Sequence, residues 1–138
     1  MTRHIVDTNI LLTFVTDRDP PRREIVSRVF QGAASLREEL WVISNVVTEF
    51  VHVLTTVYGV EAATVRSMVV DLLDTPGVLY HHGYYPGLVF RIWPAEVRDF
   101  GDAVVAAAAS TLDLPVYTAD NAFGAELSRI GVAAELLR

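Results

Sequence analysis

The chain has 138 residues, of which 51% are hydrophobic, and it carries a formal net charge of −6 and no cysteine. This length fits one compact domain, which we expect to span residues 1–138. The lack of cysteine excludes disulfides, thiolate metal sites and cysteine nucleophiles, and the acidic balance argues against a broad basic face for nucleic acid.

No segment is predicted to cross a membrane. The longest uncharged stretch, residues 75–90, is interrupted by prolines and glycines, whereas a membrane helix needs about 20 mostly apolar residues. The first nine residues reach Asp7 after only two apolar residues, which is not the pattern of a signal peptide. We therefore expect a cytoplasmic protein with no membrane contact.

In the first half of the chain, short apolar segments alternate with segments of helical pattern. The Asp19-Pro20-Pro21 sequence separates two helices, Ser44 and Asn45 are expected to cap a third, and Gly59 ends it. The predicted elements are the strand Arg3–Val6, the helices Thr8–Val15 and Arg22–Gln31, the strand Leu40–Ile43, the helix Ser44–Tyr58 and the helix Glu61–Leu73.

The second half continues the alternation, with Asp99 as the expected cap of a strongly apolar helix. The predicted elements are the strand Val78–Tyr80, the helix Leu88–Trp93, the helix Gly101–Leu112, the strand Val116–Thr118, a helix from Asp120-Asn121 to Ile130, and the strand Val132–Leu136. Short apolar strands that alternate with helices are typical of a parallel sheet covered on both faces. The predicted fold class is therefore α/β, a three-layer α/β/α domain with a mainly parallel central sheet.

Four acidic residues are predicted to meet at one edge of this sheet. Asp7 ends the first strand, Asp120 follows the strand Val116–Thr118, and Glu49 and Asp102 lie near the starts of two helices. Ligands bind beyond the carboxyl ends of the strands in open α/β sheets. Carboxylates gathered there raise one another's pKa unless cations compensate them, and Mg²⁺ or Mn²⁺ prefers such oxygen ligands.

Four short motifs together resemble the PIN-domain nucleases, and most closely the toxins of VapBC-type toxin–antitoxin pairs. The motifs are Ile5-Val6-Asp7-Thr8-Asn9, Ser44-Asn45-Val46-Val47-Thr48-Glu49, Phe100-Gly101-Asp102-Ala103, and Val116-Tyr117-Thr118-Ala119-Asp120-Asn121-Ala122-Phe123. They occur in the family's order and spacing over almost the whole chain. The resemblance implies a PIN-like fold and a Mg²⁺- or Mn²⁺-dependent endoribonuclease that cleaves cellular RNA. It also implies a small cognate antitoxin and a homodimer.

Each site residue is transferred from the family by its place in a motif. The resemblance makes Asp7, Glu49, Asp102 and Asp120 the catalytic, metal-binding acids, and it makes Asn9 and Thr118 residues that orient the site. Asn121 departs from the family pattern, because many relatives have a basic or an acidic residue at that place. The resemblance therefore supports the binding of a second metal ion less strongly than the binding of the first.

Each acid also has a purely structural interpretation. Asp99 and Asp102 have the spacing of a capping box. Asp120 and Asn121 could be helix-capping residues and nothing more. Glu49 could be a solvated residue at the edge of an apolar stripe. Asp7 has the weakest structural interpretation, because burial of a carboxylate after a strand is costly.

The segment between Asp74 and Glu96 contains no acid and many aromatic residues. Aromatic side chains near an arginine suit single-stranded RNA, by stacking on bases and pairing with phosphates, although a core or a dimer interface is the more common place for such side chains. Arg91 and Arg98 are our candidates for RNA contact, followed by Arg22, Arg23 and Arg28.

Other functional classes fit less well. A response-regulator receiver needs a lysine in its acidic pocket, and the chain has none; a phosphatase of the haloacid-dehalogenase type needs an Asp where Asn9 stands. The alternative that remains open is a catalytically silent PIN-like module that binds RNA or protein.

Overall fold

The computed structural model describes residues 1–138 and contains five strands and seven helices. The strands are β1 (Thr2–Val6), β2 (Glu38–Ile43), β3 (Val78–His81), β4 (Val116–Thr118) and β5 (Ala134–Leu136). The helices are α1 (Thr8–Val15), α2 (Pro20–Ala34), α3 (Ser44–Thr56), α4 (Ala62–Leu73), α5 (Pro86–Ile92), α6 (Phe100–Leu112) and α7 (Asn121–Arg129).

All five strands form one sheet in the order β3-β2-β1-β4-β5, and every neighbouring pair is parallel. Ile5 and Val6 are both fully buried in β1. Because successive side chains of a strand point to opposite faces, both faces of the sheet are covered there. The predicted three-layer α/β/α class is confirmed, and the sheet is entirely rather than mainly parallel.

The strand order changes direction next to β1. From β1 the chain moves outward to β2 and β3, whereas β4 lies on the other side of β1 and leads outward to β5. Connections that leave two adjacent strands in opposite directions open a crevice beyond the carboxyl ends of those strands. Asp7 directly follows β1 and Asp120 lies two residues after β4, so both lie at this crevice.

Helix α6 is surrounded by protein on all sides. Seven consecutive residues, 103–109, are buried, which is the pattern of a helix enclosed in a core rather than of one on a surface. It packs against α3 and α5. This enclosure fixes the position of its first turn, which contains Asp102.

Helix α2 is longer than predicted and begins at Pro20 rather than Arg22. Proline is well suited to the first turn of a helix, where an N–H has no partner within the helix. Asp19 caps the helix by accepting a hydrogen bond from the backbone N–H of Arg22 at 3.2 Å. Helix α5 likewise begins at Pro86, two residues before the predicted start at Leu88.

The predicted cap of α3 is wrong. Ser44 is the first helical residue, Ile43 occupies the cap position, and no side chain caps the helix. The cause is that β2 runs directly into α3 without an intervening loop, so the residue before the helix belongs to the buried strand. Most other boundaries lie within two residues of their predicted places; α3 ends at Thr56, β2 begins at Glu38 and β5 begins at Ala134, each two residues from its predicted place, and α2 ends at Ala34, three residues later than predicted.

None of the helices combines the length and the hydrophobicity that crossing a membrane requires.

Candidate active site

Asp7 is the most deeply buried acid at the crevice, with 4% of its surface exposed. It is the cap of α1, and its Oδ1 accepts a hydrogen bond from the backbone N–H of Thr8 at 2.8 Å. Its Oδ2 accepts hydrogen bonds from Thr118 Oγ1 at 2.9 Å and from Asn9 Nδ2 at 3.0 Å. Both carboxylate oxygens are therefore held in fixed positions.

Thr118 and Asn9 link the ends of β1 and β4. The strand register pairs Val6 with Tyr117, which brings Thr118 beside Asp7. Asn9 accepts a hydrogen bond from the backbone N–H of Ala119 at 3.0 Å, while its amide nitrogen donates to Asp7. These two side chains thus lie where the resemblance expects site-orienting residues, and their hydrogen bonds fix the orientation of Asp7.

Asp120 caps α7. Its Oδ1 accepts hydrogen bonds from the backbone N–H groups of Ala122 and Phe123 at 2.9 and 3.2 Å, and its own N–H donates to Thr118 Oγ1 at 3.1 Å. Asp120 therefore does cap the helix, as its structural interpretation predicts. Capping does not compete with a role in the pocket, because these bonds occupy only one of the two carboxylate oxygens.

Two helices supply the other acids. Asp99 caps α6 by accepting a hydrogen bond from the backbone N–H of Asp102 at 2.9 Å. The side chain of Asp102 forms no hydrogen bond. Glu49, on α3, is exposed, and its Oε2 accepts a hydrogen bond from Thr8 Oγ1 at 3.2 Å.

These side chains surround one open pocket of about 300 Å³, which we call the acidic pocket. Its lining consists of Asp7, Thr8, Asn9, Leu12, Glu49, Asp99, Asp102 and Asp120. The four acids expected at the site therefore lie together. Sequence reasoning gave Asp99 only a capping role and overlooked Thr8; the Asp-Thr-Asn run directly after a buried strand was the available signal for Thr8.

The lining includes five acids and no basic side chain. Burial, and after it the neighbouring charges of Asp7, Asp99, Asp120 and Glu49, together raise the pKa of Asp102 to about 8. Burial also raises the pKa of Asp7 to about 6, although the hydrogen bonds from Thr118 and Thr8 oppose the shift. The pocket therefore holds more negative charge than its own surroundings stabilise.

The donor chemistry of this pocket fits a hard divalent cation. All the charged groups are carboxylates, which are the ligands that Mg²⁺ and Mn²⁺ prefer, and a cation would relieve the repulsion that raises both pKa values. No group of three or more acidic or histidine side chains is arranged to enclose an ion. Mg²⁺ often keeps several waters and uses only one or two carboxylates, so the pocket fits a largely hydrated ion.

The arginine candidates do not line the acidic pocket. Arg91 and Arg98 are exposed; Arg91 Nε donates to the carbonyl oxygen of Gly87 at 3.2 Å, and neither forms an ion pair. Arg22 and Arg28 are paired with acids of their own helix or its cap. Sequence reasoning missed Arg18, whose Nη2 donates to the carbonyl oxygen of the pocket residue Asn9 at 3.1 Å.

The aromatic segment divides into buried and exposed parts. Trp93 is half-buried and lies edge-on to Phe100, with ring centroids 5.1 Å apart. Phe90, Tyr80 and Tyr84 are exposed. The core therefore accounts for only part of this segment, and the exposed rings are accessible for RNA or for a second copy of the chain.

A family model for the PIN domain matches residues 4–125. In fold, the chain is similar to VapBC2 from Rickettsia felis bound to a DNA fragment from its promoter, with a TM-score of 0.71 and 14% identity over 99% of this chain and 100% of that one. It is also similar to VapC20 from Mycobacterium tuberculosis, a toxin that cleaves the sarcin–ricin loop, with a TM-score of 0.67 and 20% identity over 94% and 95%.

A third similar structure is VapBC-1 from nontypeable Haemophilus influenzae, with a TM-score of 0.67 and 15% identity over 99% of this chain and 98% of that chain. No curated protein matches the chain in sequence.

The raised pKa values predict how the stability of the metal-free protein depends on pH. The pKa of Asp102, about 8, and that of Asp7, about 6, lie above the value of 3.8 that an unperturbed Asp has. The folded state therefore binds more protons than the unfolded state, and this contribution to stability is lost as the pH rises from about 4 to about 8. With EDTA present, we expect the melting temperature to fall over this range.

The variant Asp102→Asn should reduce this fall and raise the melting temperature at pH 8, because one of the repelling charges is removed. Asp113→Asn, which makes the same charge change at the other end of α6, should leave the size of the fall in melting temperature across the pH range unaltered. Differential scanning calorimetry across the pH series measures both. A variant Asp102→Asn that melts below the unchanged protein at pH 8 would mean that the carboxylate stabilises the fold.

Proposed function

The chain belongs to the PIN domain family, and we propose that it is a Mg²⁺- or Mn²⁺-dependent endoribonuclease, the toxin of a type II toxin–antitoxin pair that cleaves cellular RNA. The observation that carries this proposal is the acidic pocket, in which five acids and no basic side chain meet at the carboxyl ends of β1 and β4. The similarity in fold to VapC20, an RNA-cleaving toxin, supports it. Such a substrate also implies a cytoplasmic protein.

We propose that Asp7, Glu49, Asp102 and Asp120 are the catalytic, metal-binding acids, with one or two of them bound directly to a hydrated cation and the others contacting it through its waters. When bound, a divalent ion lowers the pKa of a coordinated water and neutralises charge that develops on phosphate oxygens. The raised pKa of Asp102 and the lack of any basic side chain in the pocket support this ligand set. Asp99 contributes its charge to the pocket while it caps α6.

The remaining polar side chains keep the acids in place during the reaction. Thr118 donates to Asp7 and accepts from the N–H of Asp120, so one hydroxyl aligns acids from two strands. Asn9 joins Asp7 to the backbone at Ala119. A site held in this way can orient a water against a phosphodiester without the cost of rearranging its own groups.

The proposed antitoxin has an apolar groove available to it. The groove has a volume of about 350 Å³, lies between α1, α3 and α4, and is lined mainly by Leu11, Phe14, Val15, Phe50, Met68 and Leu72. VapBC2 and VapBC-1, which are similar in fold, support a partner of this kind. Because α1 begins beside Asp7, an antitoxin segment in the groove would lie close enough to cover the acidic pocket.

We also propose that the chain forms a homodimer. The mean hydropathy is +0.34, and the exposed large apolar side chains include Val57, Tyr58, Val70, Leu79 and Tyr80. Exposed apolar surface of this kind indicates a surface that another molecule covers.

RNA cleavage should require a divalent ion. We expect the purified protein to cleave single-stranded or structured RNA in Mg²⁺ or Mn²⁺ and to stop when EDTA is added, because only the carboxylates offer a site for the chemistry. Asp102→Asn should lower the rate at least about a hundredfold, because it weakens binding of the cation that stabilises charge at the reacting groups. Gel electrophoresis of labelled RNA measures the rate.

The control is Asp113→Asn, which removes an exposed acid outside the pocket and should leave the rate unchanged. Undiminished cleavage in EDTA would contradict the metal requirement. If the protein cleaves no RNA in either metal but binds it, the silent PIN-like binding module is the correct alternative.

Phosphate contacts should come from exposed arginines near the start of α6. RNA must approach a pocket of negative charge, and Arg91 and Arg98 have no ion pair to give up. The double variant Arg91→Ala/Arg98→Ala should bind RNA more weakly, with a flatter dependence of affinity on salt, because fewer counterions are released. Fluorescence anisotropy across a salt series measures this.

Arg37→Ala/Arg66→Ala is the matched control, since both arginines are exposed and unpaired but lie elsewhere, Arg37 directly before β2 and Arg66 on α4. Equal salt slopes for the two double variants would mean that Arg91 and Arg98 do not contact phosphate, and Arg18 and Arg23 would be tested next.

Light scattering tests the homodimer. The isolated chain at micromolar concentration should have twice its mass of 15.2 kDa, because a second copy covers part of the exposed apolar surface. A monomer at this concentration would contradict the proposal and leave the antitoxin as the only partner for that surface.

A further inference from the structure

A second pocket, of about 270 Å³, lies beside the acidic pocket; we call it the side pocket. Its lining consists of Ser44, Asn45, Thr48, Gly83, Tyr84, Phe100 and Val104. We propose that the side pocket binds one unpaired nucleobase of the RNA whose backbone lies at the acidic pocket. This inference rests on the proposed function, since it assigns the recognition of a nucleotide next to the site of cleavage.

The two pockets share a wall. Helix α3 contributes Asn45 and Thr48 to the side pocket and Glu49 to the acidic pocket, while α6 contributes Phe100 to the former and Asp102 to the latter. Gly101 lies between them: a Cβ there would be 3.2 Å from Glu49 Oε2 and 3.6 Å from Asn45 Nδ2. Because glycine has no side chain, the first turn of α6 packs closely against α3, and this places the two pockets next to each other.

Two aromatic rings at the side pocket are available for stacking. Tyr84 is 50% exposed and Phe100 is 38% exposed. Phe100 is held by Trp93, whose ring lies edge-on at an interplanar angle of 81° and whose indole N–H donates to the carbonyl oxygen of Arg98 at 3.2 Å. An exposed ring in a fixed orientation is the kind of surface on which single-stranded bases stack.

The polar part of the side pocket suits a neutral heterocycle. The side-chain amide of Asn45 forms no hydrogen bond within the protein, so both its donor and its acceptor are available to the edge of a base. None of the seven lining residues is charged, which distinguishes the side pocket from a phosphate or metal site. The volume is slightly below the range for drug-sized ligands, as expected for a single base.

The test uses a short single-stranded RNA that contains one 2-aminopurine, a base whose fluorescence falls when it stacks. Binding is measured in Mg²⁺ with the full chain carrying Asp102→Asn, which removes one charge from the acidic pocket and slows cleavage. In this background, Phe100→Ala and Tyr84→Ala should each weaken RNA binding at least about fivefold, the lower end of what the loss of one stacked base costs. Tyr84→Phe should retain the affinity, because it keeps the ring.

The matched controls are Tyr58→Ala and Tyr80→Ala. These residues are aromatic and have similar exposure, 40% and 45%, but neither lines the side pocket. They should leave the affinity and the fluorescence change unaltered. Equal losses in the control variants, or none in Phe100→Ala and Tyr84→Ala, would overturn the base-binding assignment.

The outcomes separate this inference from the proposed nuclease function. Cleavage by the unchanged protein together with RNA binding that is insensitive to Phe100 and Tyr84 would overturn the side pocket alone. Binding that depends on both rings, without any cleavage, would support the side pocket and overturn the nuclease. A change in oligomeric mass in Phe100→Ala, with RNA affinity unchanged, would assign this surface to a contact between copies of the chain and overturn base binding.

Discussion

A carboxylate buried at the end of the central strand carries a desolvation cost that the protein offsets only in part. Asp7 accepts hydrogen bonds at both oxygens from Thr8, Asn9 and Thr118, and its pKa still lies above the ordinary range of an aspartate. Burial therefore outweighs the hydrogen bonds. A buried aspartate with a purely structural role is expected to have a basic partner. Asp7 instead has further acids around it, so the desolvation cost is not compensated.

The fold holds these acidic side chains in place despite their mutual repulsion. β1 and β4 are adjacent parallel strands, and the chain leaves them toward opposite edges of the sheet. Their carboxyl ends therefore border a crevice that no connection covers. The acids reach the crevice from the starts of three helices and from α3, and α6 is enclosed in the core behind Asp102. Repulsion among the carboxylates thus acts on elements that hydrophobic packing holds in place.

Much of this arrangement was predictable from local sequence. The parallel sheet followed from the alternation of apolar segments, and the proximity of Asp7 and Asp120 followed from their places after two strands of that sheet. The capping role of Asp99 was also visible, because it lies three residues before Asp102. Other features depend on long-range packing, which spacing along the chain does not reveal. Asp99 faces the acidic pocket as well as α6, and the arginine that contacts a pocket residue is Arg18, which is far from the segment that carries Arg91 and Arg98.

The division of charge around the pocket bears on how an acidic chain could bind RNA. The acidic pocket repels phosphate until a cation is present, whereas the side pocket is uncharged and offers Tyr84, Phe100 and Asn45. Stacking on an aromatic ring depends little on net charge, and it can hold a base while the phosphate beside it is drawn to the cation. A chain with a net charge of −6 would then bind the base through uncharged side chains and the phosphate through the cation. Such binding does not need a basic face.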